Sequence, residues 1–427
     1  MVRNFRAAYA VIGLAIALAL TSCVASDVGS TNAALPSQDR YIVVLQPGAN
    51  PTAVAASAGA APTHVYQHAL VGFAAPLPPS AVTALQRNPN VLFVEADRKV
   101  EAYDLPTGVD RIDAELNTIA GIDGAGGAVD VDVAVIDTGV DDTHPELTVA
   151  MKTDCARGGP FNGSCRDGEG SDGNGHGTHV AGTIGAKDDG VGVVGVAPGA
   201  RIWAARVLDN RGSGYNSWVI AGIDWVAEHA ADIEVANMSL GGSGTDDTDG
   251  GDCHASTDAM NLAICNTVDA GVVFVVAAGN ETDDAANHTP AAYDQVITVS
   301  ALADFDGQPG GLSGDSVSFS SCTEAEDDSL ACFSNYGPDV DIMAPGLLIT
   351  STAPGGGLAT MSGTSMASPH VAGAAALYVV EHGAPTDAAG VAAVREGLIA
   401  LGKAQDSGFG LTTDDDPDAF DEPLLYV

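Results

Sequence analysis

Short apolar runs alternate with helical stretches along most of the chain. Val131–Ile136, Ile202–Val207, Val235–Ser239, Val272–Ala278 and Val296–Ser300 are apolar segments with few polar interruptions. Runs of this kind read as strands buried on both faces. Helical stretches near Thr178–Gly185, Ser217–Ala230, Met260–Ala270 and Ser365–Val380 fall between or after them. The alternation predicts an α/β fold: a mostly parallel central sheet with helices on both faces, its sites beyond the carboxyl ends of the strands. Nearer the start, strand Tyr41–Leu45, helix Thr52–Ser57, strand Leu70–Ala74, helix Pro79–Arg87 and strand Val91–Glu95 predict a small α+β domain over residues 40–103. Pro106, Thr107 and Gly108 mark a break. The larger domain is expected over residues 104–427, with an acidic tail from about 404 that ends in apolar Leu424–Val427.

Composition sharpens this. The chain has 427 residues, 46% of them hydrophobic, which is ample core and excludes wholesale disorder. Against 16 Lys+Arg stand 56 Asp+Glu, a net charge of −40. Phosphate backbones would repel such a surface, so nucleic acid is not an expected partner. The charge is uneven: residues 1–103 carry +1 and residues 104–427 carry −41. With only four lysines in the chain, the acidic surface suits a salty medium, where screening removes self-repulsion.

Arg3 and Arg6 precede one apolar run, Ala7–Leu20, of signal-peptide length. It ends in Leu20-Thr21-Ser22-Cys23, which resembles a bacterial lipobox with Cys23 as the lipidated residue. The alternative is a simple export signal cleaved after a small residue such as Ala25. Residues 24–39 read as a linker. Either reading predicts an extracellular or cell-surface protein; the lipobox reading adds a lipid anchor on the precursor as its only membrane contact. The six remaining cysteines lie in three close pairs, suggesting bridges Cys155–Cys165, Cys253–Cys265 and Cys322–Cys332. A zinc site is the rival, but no Cys-x-x-Cys spacing supports it.

Three glycine-rich segments fall at predicted strand ends or helix starts. Val133-Ala-Val-Ile-Asp137-Thr-Gly139 places an acid where a strand stops. Asn174-Gly-His176-Gly-Thr-His179 sets a histidine before a helix, and Gly363-Thr-Ser365-Met-Ala-Ser-Pro-His370 sets a serine at a helix start. Singly, these read as a strand-end cap, a pair of metal ligands and an N-cap. Together, from about Tyr41 to about Leu401, they resemble the subtilisin family of serine proteases, whose triad runs in the order Asp, His, Ser. The resemblance implies a secreted endopeptidase of broad specificity, made as an autoprocessed preproenzyme, with Asp137, His176 and Ser365 as catalytic residues. A serine hydroxyl needs a base to become a nucleophile, and histidine needs an orienting acceptor. Asn280, at the end of Val272–Asn280, is implied as oxyanion donor beside the Ser365 N–H. His179 and His370 fall where the family has structural helix residues.

Further roles follow from the same resemblance. Gly212, Ser213 and Gly214 with Ser239, Leu240 and Gly241 would bind an extended polypeptide substrate by strand addition. Ala278 and Gly279 would wall the primary pocket; His288 would either stand at its inner wall, narrowing or tuning it, or be an ordinary loop histidine. Residues 40–103 resemble the inhibitory propeptide, an intramolecular chaperone and inhibitor. Cleavage is expected after Tyr103, which implies an apolar or aromatic residue at P1, the position before the scissile bond. Structural calcium is implied at Asp189 and Glu146 with carbonyls of Lys187, Val191 and Val193, all hard oxygen donors; no catalytic metal is expected. Glu146 replaces the family's aspartate, and Asp189 its asparagine. Two other readings are a non-catalytic acidic lipoprotein serving as a binding module, and a dedicated processing protease.

Overall fold

The computed structural model describes residues 39–67, 70–96, 105–156, 165–248, 250–405 and 422–427, with 407, 409, 417 and 420. Cys23, residues 24–38 and Tyr103 lie outside the described residues. The chain divides into two compact units, residues 1–100 and 101–427.

The smaller unit runs β1 Asp39–Leu45, α1 Pro51–Ser57, β2 His64–Tyr66, β3 Gly72–Leu77, α2 Pro79–Gln86 and β4 Val91–Ala96. Its antiparallel sheet has the order β2-β3-β1-β4. Val43, Leu45, Phe73, Ala75 and Leu77 from the sheet meet Val54, Ala55, Ala81 and Leu85 from the helices in one core. β3 starts two residues later than expected, at Gly72. A Cβ there would stand 2.3 Å from Val43 O, so glycine permits the close approach to β1.

The larger unit is built on β5 Asp132–Asp137, β6 Thr148–Asp154, β7 Arg201–Arg206, β8 Val235–Met238, β9 Val273–Ala277, β10 Ile297–Ala303 and β11 Ile342–Pro345. Among the described residues these form a nine-stranded sheet with two short edge ribbons, Arg166–Asp167 and Ser329–Leu330. All seven long strands pair in parallel; only the two ribbons are antiparallel. The helices are α3 His176–Gly185, α4 Asn216–Glu228, α5 Ala259–Val268, α6 Thr364–His382 and α7 Ala388–Leu401. Every residue of β5 and β9 is buried, which is why these strands lack alternation. α6 is buried on nearly all sides and rich in small residues; a Cβ at Gly373 would meet Val196 Cβ at 2.6 Å.

β6 and β11 were not legible as strands. β6, Thr-Val-Ala-Met-Lys-Thr-Asp, is half exposed and mixes polar with apolar residues, and β11 is short and ends in proline. The Pro106–Gly108 break also begins a helical turn, Thr107–Arg111. The apolar end of the tail packs: Leu424 and Leu425 are buried, Leu425 N–H donates to Met343 O of β11, and Val427 N–H donates to Ile112 O. The cysteines pair as 155–165, 253–265 and 322–332.

Candidate active site

β5 ends on Asp137, which is fully buried. α3 begins at His176 after Gly175, whose φ of 109° favours glycine. The next residue is also glycine for a steric reason: a Cβ at Gly177 would lie 2.2 Å from Gly139 O. That clearance lets His176 Nδ1 sit 2.9 Å from both Asp137 oxygens. Asp172, which the sequence reading did not single out, ties the corner together. Its carboxylate accepts from Asn174 N, Gly175 N, Thr178 N, Thr138 Oγ1 and Thr178 Oγ1. Burial disfavours a charged His176, but the Asp137 charge, its hydrogen bond and the Asp172 charge outweigh it, so His176 titrates above the ordinary 6.5.

Ser365 is the second residue of α6, after Gly363 and Thr364. In this rotamer its hydroxyl donates to Ser239 O at 3.4 Å rather than to His176. Both side chains line the same cavity, of about 630 Å³. The Ser365 carbonyl would ordinarily accept from residue 369, but Pro369 has no N–H. Ser239 Oγ donates to it instead, at 2.8 Å. Asn237 Nδ2 donates to Ser239 Oγ at 3.0 Å, and Ser368 Oγ donates to Asn237 Oδ1 at 2.7 Å. These side chains are buried, so each bond replaces one that water cannot supply.

Asn280 follows β9. Its Oδ1 accepts from Thr364 N at 2.8 Å and from Thr364 Oγ1 at 3.1 Å, which fixes the amide's orientation. Its Nδ2 has no partner among the described residues. A Cβ built on Gly363 would stand 3.7 Å from both Asn280 Nδ2 and Ser365 N, so the two donors border one small space, kept open by glycine.

Gly212, Ser213, Gly214, Ser239, Leu240 and Gly241 line the large cavity with His176 and Ser365. Among the described residues, the backbone groups of Gly214 and Gly241 make no hydrogen bond within the protein. Ala278, Gly279 and His288 line a second pocket, of about 110 Å³, with Asn280 and Ser365. His179 and His370 are buried away from this chemistry. His179 Nε2 bonds to Ile349 O and Ala359 O, and His370 Nδ1 to Met366 O; burial lowers both to about 4, so they stay neutral.

The implied calcium residues also cluster. Glu146 is buried, its Oε2 has no hydrogen-bond partner, and burial reinforced by Asp189 raises it to about 7 despite Lys187. A buried, orphaned carboxylate oxygen beside a second acid fits a cation. Gly192, between Val191 and Val193, lies against Glu146: a Cβ there would be 3.7 Å from Glu146 Cδ. A separate acidic group, Asp304, Asp306 and Asp327, brings carboxylate oxygens within 4.8 Å of one another, but Arg111 Nε lies 3.2 Å from Asp304 Oδ2 and supplies positive charge there.

A parallel sheet whose strand ends deliver an Asp–His pair, a helix-borne serine and an open amide to one cleft defines a hydrolase of the serine-protease kind. Residues 129–399 match the Subtilase family and residues 40–103 match Peptidase inhibitor I9, and the chain belongs to the subtilase family. It is a serine endopeptidase with an inhibitor-type propeptide domain. It is 38% identical to Subtilisin E of Bacillus subtilis over 320 residues, 74% of this chain and 72% of that protein. Against the extracellular serine proteinase of Thermus sp. it is 38% identical over 364 residues, 81% and 77% of the two chains. A cold adapted subtilisin-like serine proteinase of known crystal structure aligns with a TM-score of 0.54 and 36% identity, over 76% of this chain and 98% of that one.

Proposed function

We propose that the enzyme is exported and cleaves polypeptides through an acyl-enzyme on Ser365. The observation that carries this is the convergence on one cleft of His176, held by both Asp137 oxygens, with Ser365 and the unpartnered Asn280 amide. In the reacting state the Ser365 hydroxyl turns about χ1 from Ser239 O toward His176 Nε2, and exchange between staggered rotamers is fast. His176 then takes the proton as Oγ attacks the scissile carbonyl. Asp137 holds the ring through Nδ1–H and stabilises the imidazolium. Oxyanion charge develops between Asn280 Nδ2 and Ser365 N, where donors matter most because they are aimed beforehand. His176 returns its proton to the leaving amine, and water repeats the sequence on the ester.

The free backbone groups of Gly214 and Gly241 support binding of the substrate as an added strand, with an apolar residue at P1. The I9 domain supports self-cleavage near Tyr103. Calcium, where bound, would be held by Glu146 and Asp189 with carbonyls of Lys187, Val191 and Val193, and would neutralise buried acidity. The test is labelling with a fluorophosphonate. Wild type should react at Ser365 with loss of peptidase activity, and Ser365→Ala should not; an unlabelled, inactive but folded wild type would overturn the reading.

A further inference from the structure

We infer that His288 makes the enzyme selective for aliphatic residues of small to middle size at P1, and poor with aromatic ones. This rests on the serine-protease reading above. The pocket beside Ser365 and Asn280 measures about 110 Å³, and its lining includes Leu240, Gly241, Ala278, Ala291 and His288. An engineered cavity of about 150 Å³ is large enough to hold a benzene ring. An aromatic P1 side chain is larger than benzene by its methylene, so it enters only if a wall yields. A leucine side chain is smaller and asks less of the walls.

The wall that would have to yield is held. His288 and Thr289 pair antiparallel with Gly242 and Ser243, so the backbone at His288 is tied to the segment next to Leu240 and Gly241. The His288 side chain is only 11% exposed and stands between two carboxylates: Nε2 lies 3.3 Å from Asp283 Oδ2, and Nδ1 lies 3.7 Å from Glu281 Oε2. Glu281 is itself fixed, because Oε2 accepts from Asn280 N at 2.8 Å and from Asn335 Nδ2 at 3.1 Å. Swinging the ring out therefore separates it from both acids. The neighbouring cavity of about 630 Å³ carries no such plug and takes the bulkier side chains of the substrate.

The aromatic Tyr103 at the chain's own expected cut does not conflict with this. That cleavage is intramolecular, and a high effective concentration offsets a poor P1 fit.

The experiment uses mature enzyme and peptides of one sequence carrying Leu, Phe or Lys at P1. Active sites are counted with the fluorophosphonate, and kcat/KM is measured for wild type, His288→Gly and His288→Ala. Ratios between peptides are taken within each preparation, so partial misfolding cancels. Wild type should favour Leu over Phe by about tenfold or more, and His288→Gly should raise the Phe-to-Leu ratio by about tenfold, the scale on which apolar pockets sense size. Phe equal to or better than Leu in wild type would overturn the inference. So would an unchanged ratio in both variants, or a preference for Lys, which would mean that Glu281 and Asp283 select by charge. Absence of labelling and turnover in wild type would remove the protease reading as well, and is seen before any ratio is taken.

Discussion

Ser239 Oγ donates to the carbonyl of Ser365 at 2.8 Å, the one carbonyl in the first turn of α6 that Pro369 deprives of its helical donor. The backbone of Ser365, the proposed nucleophile, is thereby anchored by a side chain 126 residues away. Through Asn237 and Ser368 the anchor returns to the same helix.

Ser239→Ala should therefore lower kcat by about ten- to a hundredfold with KM changed little, because small misplacement of a nucleophile is expensive. It leaves a buried carbonyl and the Asn237 amide without partners, and stability should fall by about 1–3 kcal/mol. Steady-state kinetics and chemical denaturation check both. Unaltered kcat would mean that the helix holds Ser365 without this bond.

The pH profile follows from His176. Only the neutral ring can act as base, while Asp137 and Asp172 favour the charged form. Activity should thus be lost as pH falls through a midpoint above 6.5, the ordinary histidine value. Asp172→Asn removes one of the charges that raise it, so the midpoint of kcat/KM should move down. A midpoint that stays put or rises would show that Asp172 acts on the loop alone.

Chelation tests the cation reading of Glu146. With calcium at about a hundred times its Kd, removal by EGTA should lower Tm by about 4 °C. Glu146→Gln, which keeps the shape and removes the charge, should erase most of that difference. Equal Tm with and without chelator in wild type would remove the site.

Release from the membrane follows if Cys23 is lipidated, since the anchor would then lie on the propeptide side of the cut. Wild-type enzyme should appear in the medium, and Ser365→Ala should remain with the membrane fraction. Identical partitioning of the two would end the idea.

How much of this could be read beforehand differs from residue to residue. Asp137, His176, Asn280 and Ser365 stood out as candidates because each sits in a local run of glycines and small residues that close packing demands, as Gly177 shows against Gly139 O. The strands β5, β7, β8 and β9 were legible because burial on both faces leaves a nearly unbroken apolar run. The disulfides were legible from short separations of 10 to 12 residues. Asp172 was not, since an acid in a glycine-rich loop looks like any solvated acid until five donors are seen to converge on it.

By itself, the sequence determined the layered α/β plan and the family, and it offered the candidate reactive groups, all of which depend on local pattern and steric need. Tertiary structure decided which hydroxyl answers the carbonyl left open by Pro369, how tightly His288 is held, and where the apolar end of the tail comes to rest against Met343. These depend on pairings between distant segments. A chain's local chemistry states that a donor or acceptor exists, but only folding chooses its partner.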